Sequence, residues 1–427
     1  MSLPDVIEII PPDPSIDATI TVPGSKSITN RAIVLAALAE GETVLRGALW
    51  SEDTQVMVDC MMELGYIVRV EPEANESANR EITVYGRGGE IPRGGTESAP
   101  LELFVGNAGT AARFLAALMC LGRGVYRLHG VPRMHERPQS SLFQALRQLG
   151  YRVDSPNDRL PALVHGSGPC PGRCVVSVEE SSQFASALLL SGAKGRWQVG
   201  IEGANAEELP YVAMTESLLK AFPARGGAFQ IEPDASSGSY FWAAAHLLRA
   251  SGQEPRGIRV AHWPKSGWQI DAEFPRFLPL PDSISRRRDL GDSIMTAMTL
   301  APFADHPTRF TELGRLRVQE CERVAAMRME LSRCGARVDE SGDTLSIAPG
   351  SLHGAEVETY NDHRMAMCFA ILGLKVHGVR LKNPSCVKKT FPNFFQKLAA
   401  PAPAGLGVEI RDGLTGRRLP AADLLAE

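Results

Sequence analysis

Six stretches of this chain share one design, and that design restricts what it can fold into. Each has a short head of small or polar residues followed by a run too apolar to face water on any side. Pro23-Gly24-Ser25-Lys26-Ser27-Ile28-Thr29-Asn30-Arg31 leads into 32–39, Gly106-Asn107-Ala108-Gly109-Thr110 into 111–121, and Ser181-Ser182-Gln183 into 184–190. Asp234-Ala235-Ser236-Ser237 leads into 240–248, Asp292-Ser293 into 294–302, and Tyr360-Asn361-Asp362-His363-Arg364 into 365–374. Pro, Gly, Ser and Asp break structure and cap helices, and the runs behind them have helix length and Ala/Leu content. A helix that is apolar all round is buried, so its one wet end is the head. Helix N-termini favour anions through free N–H groups and the macrodipole. Lys26 and Arg31 add cations where the macrodipole disfavours them, which suits an anion held there. Several heads meeting in one cleft would make a strong anion site.

The recurrence implies an internally repeated protein. The repeat reads strand, helix, strand, helix, strand, strand. Residues 15–24 alternate apolar and polar as a strand feeding the first helix, 44–49 form a strand, and 53–64 form a helix ending at Gly65. Strands at 66–70 and 81–85 complete it. The helix-end signature Leu64-Gly65-Tyr66-Ile67-Val68 returns as Leu149-Gly150-Tyr151-Arg152-Val153 and as Cys334-Gly335-Ala336-Arg337-Val338, with Gly226-Gly227-Ala228-Phe229-Gln230-Ile231 a looser copy. The stretch 255–289, rich in Pro and Trp, reads as a cut-down repeat, and its run Arg286-Arg287-Arg288 is expected to be a solvated loop. Beyond Leu398, Ala399-Ala400-Pro401-Ala402-Pro403-Ala404-Gly405 reads as a linker or surface tail, with 408–410 and 417–419 as a small appended hairpin.

The chain has 427 residues, enough for two or three domains, and is 44% hydrophobic and 22% charged, as globular proteins are. A net charge of −4 argues against non-specific nucleic-acid binding, and no apolar run reaches membrane-spanning length. The 8 cysteines have no framework spacing, which points to reduced thiols in the cytoplasm. Cys170 and Cys174 read as a turn carrying two thiols, and His135 and His363 as loop or packing residues, so no metal or cofactor is expected.

Cations recur at or near the heads. Arg133-Met134-His135-Glu136-Arg137-Pro138, Arg317-Val318-Gln319-Glu320-Cys321-Glu322-Arg323, Asn361-Asp362-His363-Arg364 and Lys388-Lys389-Thr390-Phe391-Pro392 supply them. Arg forks and Lys point charges suit carboxylates and phosphates. Asp292 and Glu320 are carboxylates among these cations, as proton transfer requires.

With these motifs the sequence closely resembles the enolpyruvyl transferase family and, within it, the 5-enolpyruvylshikimate-3-phosphate synthases. PGSKSITNRA, LFVGNAGTAAR, PRMHERP, ESSQFASALL, DASSGSYF, RVQECER, YNDHRMAM and KKTFP stand in that family's order and cover nearly the whole chain to Leu398. The resemblance implies an α+β fold (an α/β prism) of two domains, each of about three βαβαββ units, helices inside and sheets outside, one unit shortened. It puts 25–233 in the first domain, 1–24 with 234–398 in the second, and leaves 399–427 as linker and tail. It implies that shikimate 3-phosphate and phosphoenolpyruvate react through a tetrahedral intermediate that loses phosphate, without a metal, in a monomeric cytoplasmic enzyme with no nucleic-acid or membrane partner.

By motif position, Lys26, Gly109, Arg137, Gln183, Arg323, Arg364 and Lys389 would hold phosphoenolpyruvate. Lys26, Ser27, Arg31, Ser181, Ser182, Gln183 and Asp292 would hold shikimate 3-phosphate, with Tyr211 stacked nearby; Asn107, Arg315 and Gln319 join the binding set. Asp292 would accept a proton and Glu320 donate one, with Lys26 also catalytic. Three residues depart from the family pattern: Gln319 where Lys is usual, Arg315 where Asn is usual, and Glu208 where Ser is usual. Two other readings stand beside this one, an enolpyruvyl transferase with another hydroxyl acceptor and a non-catalytic homologue that binds small anions.

Overall fold

The structure, a computed structural model, describes residues 3–12, 16–203, 209–249 and 257–426. The chain divides into two compact units, one of Gly24–Glu232 and the other of Met1–Pro23 with Pro233–Glu427. It begins with β1 (Val6–Ile10) and β2 (Ala18–Ile20), then enters Gly24–Glu232 with α1 (Lys26–Leu38), β3 (Glu40–Leu49), α2 (Glu52–Glu63), β4 (Ile67–Pro72) and β5 (Asn79–Arg87). A second repeat runs β6 (Leu101–Phe104), α3 (Gly109–Met119), β7 (Arg123–His129), α4 (Pro132–Glu136), α5 (Ser140–Gln148), β8 (Arg152–Asp154) and β9 (Ala162–Ser167). A third runs β10 (Gly172–Ser177), α6 (Ser182–Gly195), β11 (Trp197–Glu202), α7 (Leu209–Ala221) and β12 (Gly227–Gln230).

Back in the other unit come α8 (Ala235–Leu247), β13 (Ile258–Val260), β14 (Ser283–Ser285), α9 (Ile294–Leu300), β15 (Thr308–Thr311), α10 (Arg323–Arg333), β16 (Arg337–Ser341) and β17 (Thr344–Ala348). Then β18 (Glu356–Val357), α11 (His363–Gly373), β19 (Val379–Lys382), α12 (Phe394–Ala399) and β20 (Glu409–Asp412) close the chain. Gly65, Gly150 and Gly335, just past α2, α5 and α10, take φ of 88°, 90° and 92°. A left-handed residue stops a helix and turns it into the next strand, which is why this signature recurs.

The helices behind the polar heads are the core. In α1 every residue from 28 to 38 is buried, in α3 all 11 are, in α9 all 7 are, and in α11 only Arg364 is not fully buried. In Gly24–Glu232, α1, α3 and α6 pack against one another, as α8, α9 and α11 do in the other unit. Around each trio stand three sheets, two of four strands and one of two among the described residues. Helices inside and sheets outside is therefore the architecture, in two copies. The cut-down repeat at 255–289 corresponds to the two-stranded sheet β2–β13; a second two-stranded sheet, β10–β11, is not anticipated from the sequence.

One strand lies elsewhere than expected. Strand–helix–strand units place their two strands parallel in one sheet, as in β6–α3–β7, β10–α6–β11, β14–α9–β15 and β18–α11–β19. The strand feeding α1 does not follow this pattern: β2 pairs in parallel with β13, and β3 takes β12 as its parallel partner. The chain passes from one unit to the other at Pro23 and again at Glu232, so the strands before α1 and α8 exchange places. Among the described residues no helix is long and apolar enough to cross a membrane.

The segment after Leu398, expected to be a tail, is part of a sheet. β20 pairs antiparallel with β1, itself antiparallel to β19, and Leu406, Val408, Ile410, Leu419 and Leu424 are buried. The expected hairpin has a trace in the antiparallel bridge between Arg411 and Arg418, but β20 itself extends the edge of β1, which the Pro/Ala composition before it does not suggest. Ile410, fully buried, tests the point. Ile410→Ala is expected to destabilise this unit by about 2–5 kcal/mol in chemical denaturation, and a loss under about 0.5 kcal/mol, typical of a surface site, would show that β20 does not belong to its core.

Candidate active site

In Gly24–Glu232 the heads of α1, α3 and α6 converge. Gln183, at the start of α6, accepts from Arg113 Nη1 through Oε1 at 3.0 Å and donates from Nε2 to Thr110 Oγ1 at 3.2 Å. Arg113 also donates to the Pro138 carbonyl at 3.0 Å, with its guanidinium over the Phe184 ring. Ser181 caps α6, its hydroxyl accepting from the Gln183 amide at 3.3 Å, and Ser182 is buried beside it. Arg137 is half-buried and donates to the Asn107 carbonyl at 3.0 Å. Asn107 Oδ1 is buried with no hydrogen-bond partner among the described residues. At Gly109, a Cβ would stand 2.7 Å from Arg137 Nη2 and would also meet the Arg113 guanidinium. Only glycine lets the two guanidinium groups lie this close to the start of α3.

Lys26, the first residue of α1, is ion-paired with Asp53 at 3.1 Å, its side chain 19% exposed. Asp53, on the first turn of α2, thus holds the ammonium at the head. Arg31 lies deeper, 2% exposed. It donates to Thr215 Oγ1 at 2.7 Å, to the Ser27 carbonyl at 2.8 Å, and to Ser186 Oγ at 3.0 Å, with its guanidinium 5.2 Å from the Phe114 ring centroid. Its geometry is that of a brace tying α1 to α6 and α7, and it fixes the backbone of Ser27. Tyr211, on α7, is half-buried and its carbonyl accepts from Thr215 Oγ1 at 3.0 Å. Glu208 lies outside the described residues.

In the other unit the heads of α9 and α11 meet the turn before α10. Arg323 is 1% exposed and forms a two-point pair with Asp362, Nε to Oδ2 at 2.7 Å and Nη2 to Oδ1 at 3.2 Å. Asp362 also caps α11, accepting from the Arg364 amide at 2.8 Å. Arg323 Nη2 reaches Glu320 at 2.9 Å, and Nη1 donates to Gln319 Oε1 and lies 3.9 Å from Asp292. Arg364 Nη2 pairs with Asp292 Oδ2 at 2.9 Å, while Arg364 Nε is buried without a hydrogen-bond partner among the described residues. Lys389 Nζ stands 3.5 Å from Glu320. Arg315 is half-buried on the 3-10 turn Gly314–Val318.

Arg286 corrects the sequence expectation of a solvated loop. It is 1% exposed and its Nη2 donates to Asp292 Oδ1 at 3.2 Å; only Arg287 and Arg288 face water. Three charged residues in a row read alike in sequence, and only the fold turns the first inward. Asp271 is the other contribution of the cut-down repeat: its Oδ1 accepts from the Gly291 amide at 2.7 Å and from Ser293 Oγ at 2.6 Å, on either side of Asp292. Asp53, Arg113, Asp271 and Arg286 were thus missing from the site as read in sequence. For Arg113 a signal existed, since it follows Gly109 by one helical turn and shares its face.

Burial alone would raise the Asp292 carboxyl, but Arg364, Arg323 and Arg286 outweigh burial and the like charge of Glu320, holding it far below its ordinary 3.8. A folded value below the unfolded one adds stability that is present above the ordinary carboxylate range and is lost as pH falls. Among the described residues no group of His, Cys, Asp and Glu is arranged to hold a metal ion. The arrangement can bind anionic groups and move protons at two carboxylates. The Arg323–Asp362 pair should hold it together: Asp362→Ala strands a buried guanidinium and removes a cap, and is expected to cost about 3–5 kcal/mol in urea denaturation. A cost below about 1 kcal/mol would show that Glu320 and Asp292 suffice for Arg323.

The profile of the EPSP synthase (3-phosphoshikimate 1-carboxyvinyltransferase) family matches residues 11–225 and 286–398, leaving out the stretch that contains α8, β13 and Asp271. A relative named 3-phosphoshikimate 1-carboxyvinyltransferase from Nostoc punctiforme is 36% identical, over 92% of this chain and 98% of its own length. One of the same name from Opitutus terrae is 38% identical, over 93% and 98%. In fold, the chain is similar to an EPSP synthase from Acinetobacter baumannii, with TM-score 0.72, 21% identity, and 95% and 99% of the two chains covered. It is also similar to the enolpyruvyl transferase NikO from Streptomyces tendae, with TM-score 0.68, 16% identity, and 96% and 99% covered. On the profile match and the relatives together, this chain belongs to the EPSP synthase (3-phosphoshikimate 1-carboxyvinyltransferase) family.

Proposed function

We propose that this chain transfers the enolpyruvyl group of phosphoenolpyruvate to the 5-hydroxyl of shikimate 3-phosphate and releases inorganic phosphate. The observation that carries the reading is the grouping of Asp292 and Glu320 with Arg323, Arg364 and Lys389, two carboxylates each ion-paired with cations. Each substrate carries a carboxylate and a phosphate, so the reaction needs several fixed cations and a route for two protons.

Phosphoenolpyruvate is held by Lys26, Gly109, Arg137, Gln183, Arg323, Arg364 and Lys389. Shikimate 3-phosphate is held by Lys26, Ser27, Arg31, Ser181, Ser182, Gln183 and Asp292, with Tyr211 stacked nearby and with Asn107, Arg315 and Gln319 in the binding set. The acceptor oxygen bonds to C2 of the enol as its proton passes to Asp292, and C3 takes a proton from Glu320. The tetrahedral adduct then loses a C3 proton and its phosphate, which restores the double bond.

Both carboxylates are tied to cations. Drawing Arg364 and Arg323 onto an incoming anion frees Asp292 to act as a base. Drawing Arg323 and Lys389 away from Glu320 favours its protonated, donating form. The enzyme is a cytoplasmic monomer in this reading and needs no metal or organic cofactor. A second reading, another hydroxyl acceptor, is favoured by one observation: residue 319 is a glutamine whose amide oxygen serves Arg323 and so brings no cation of its own.

Phosphate release with both substrates tests the reading directly, and no release from shikimate 3-phosphate despite phosphoenolpyruvate binding would select the second one. Lys26→Met should keep its melting temperature yet lose more than about a hundredfold in kcat, since one preorganised charge is worth roughly 3–4 kcal/mol; near-normal turnover would remove Lys26 from the mechanism. Gly109→Ala should displace the Arg137 guanidinium and raise KM for phosphoenolpyruvate by about tenfold or more, as the loss of a charged hydrogen bond would. An unchanged KM would show that Arg137 does not touch that substrate.

A further inference from the structure

Asp292 has two oxygens with different company. Oδ2 faces Arg364 at 2.9 Å, whereas Oδ1 faces Arg286 at 3.2 Å and, more distantly, Arg323 at 3.9 Å. Arg364 and Arg323 are the residues that an anionic substrate would recruit. Arg286 is not at a head. It comes from the loop between β14 and α9, is 1% exposed, and lies six residues before the carboxylate it meets. The same loop is tied down at its other end, where Asp271 accepts from the amides of Gly291 and Ser293 and from the Ser293 hydroxyl. Ser285, next to Arg286, donates its amide hydrogen to Asp289 Oδ2 at 2.8 Å, which folds the loop back on itself.

We infer that Arg286 is the positioning residue of the proton acceptor, staying on Asp292 Oδ1 when Arg364 and Arg323 turn to substrate, so that Oδ2 alone is presented to the acceptor hydroxyl. The inference rests on the reading of Asp292 as that acceptor. Two consequences are built in. A carboxylate held at one oxygen by a buried guanidinium on a tied-down loop has its other oxygen aimed, which orients the base before the substrate arrives. One guanidinium left behind also keeps the carboxylate ionised once the other two are engaged elsewhere, so proton acceptance does not wait on a second equilibrium. Within this unit the charged groups facing Asp292 are Arg286 from its own loop, Arg323 and Glu320 from α10 and the turn before it, and Arg364 from α11. Asp271 faces the flanking amides, and Asp234, the cap of α8, acts on Arg364. Of the three cations, Arg286 is the one with no role assigned toward a substrate.

The test compares Asp292→Asn, Arg286→Met and Arg286→Lys in the full chain, with kcat and KM followed over about pH 5 to 9 and thermal unfolding alongside. Asp292→Asn is expected to lose about a hundredfold or more in kcat. Arg286→Met is expected to lose about tenfold or more in kcat with KM for phosphoenolpyruvate within about threefold, and its acid limb should move to higher pH because a cation beside the carboxylate is gone. Arg286→Lys should recover most of the rate and return the limb toward the parent. The inference is overturned if Arg286→Met keeps the parent kcat and limb, or if Arg286→Lys, folded, is no better than Arg286→Met. Should Arg286→Met fail to fold, Arg286→Lys decides alone: a parent-like limb with most of the rate supports the inference, and a folded variant as slow as Asp292→Asn sinks it. Parent-like turnover in Asp292→Asn would instead bring down the reading of Asp292 itself, an outcome distinct from any result at position 286.

Discussion

A helix buried along its whole length leaves polar groups nowhere to go but its ends, and this constraint shapes everything else in the molecule. Three largely buried helices stand at the centre of each unit, with sheets closing off their sides. Their free N–H groups, caps and charges are concentrated at the heads because the walls are mostly apolar and take only small hydroxyls such as Ser186, Ser239 and Thr299. Gln183 bonded to Thr110 and Arg113 at one convergence, and Asp292 bonded to Arg364 at the other, are the result. Chemistry is thereby confined to the rim of an otherwise apolar core.

Charges gathered in this way must be neutralised from within the protein. Lys26 has Asp53, Arg323 has Asp362 and Glu320, Arg364 has Asp292, and Lys389 has Glu320. Each pair costs desolvation, and the Arg323–Asp362 pair, 1% and 0% exposed, is the most deeply buried of them. These internal carboxylates fall into two kinds. Asp53 and Asp362 stand behind the cations and aim them, whereas Asp292 and Glu320 share the cations' front and must give way to an external anion. The first kind preorganises the site; the second makes its protonation state depend on occupancy.

Much of this was legible in the sequence because helix heads and left-handed glycines have strong local signatures. The recurrence at Gly65, Gly150 and Gly335 fixed the repeat, and the six heads located the core helices. What stayed hidden depends on direction in space. Arg286 and Arg287 are chemically identical neighbours, yet one enters the core and the other does not. Asp271 and Asp53 act on heads remote from them in sequence. The strand before α1 reads correctly as a strand, but its pairing with β13 follows from a crossing between units that no local pattern reveals. The strand near 408–410 reads from the sequence as part of a small hairpin, but its antiparallel pairing with β1, at the other end of the chain, has no local signature. The bonds of Arg31 to Thr215, Ser186 and the Ser27 carbonyl likewise join segments distant in sequence.

The exchange of β2 and β12 means that one unit is a single run of chain whereas the other is built from two runs separated by more than two hundred residues. Gly24–Glu232 is one unbroken segment, so every strand and helix it needs has been made once residue 232 has emerged. The remaining unit is different. β1 finds its neighbours only at β19 and β20, and β2 finds its own only at β13. The opening strands must therefore stay unpaired through the making of an entire intervening domain, and closing so long a loop is entropically slow. β1 and β2 thus pair only with strands far along the chain, and until those partners are in place they present the kind of open apolar strand edge that can associate with other chains.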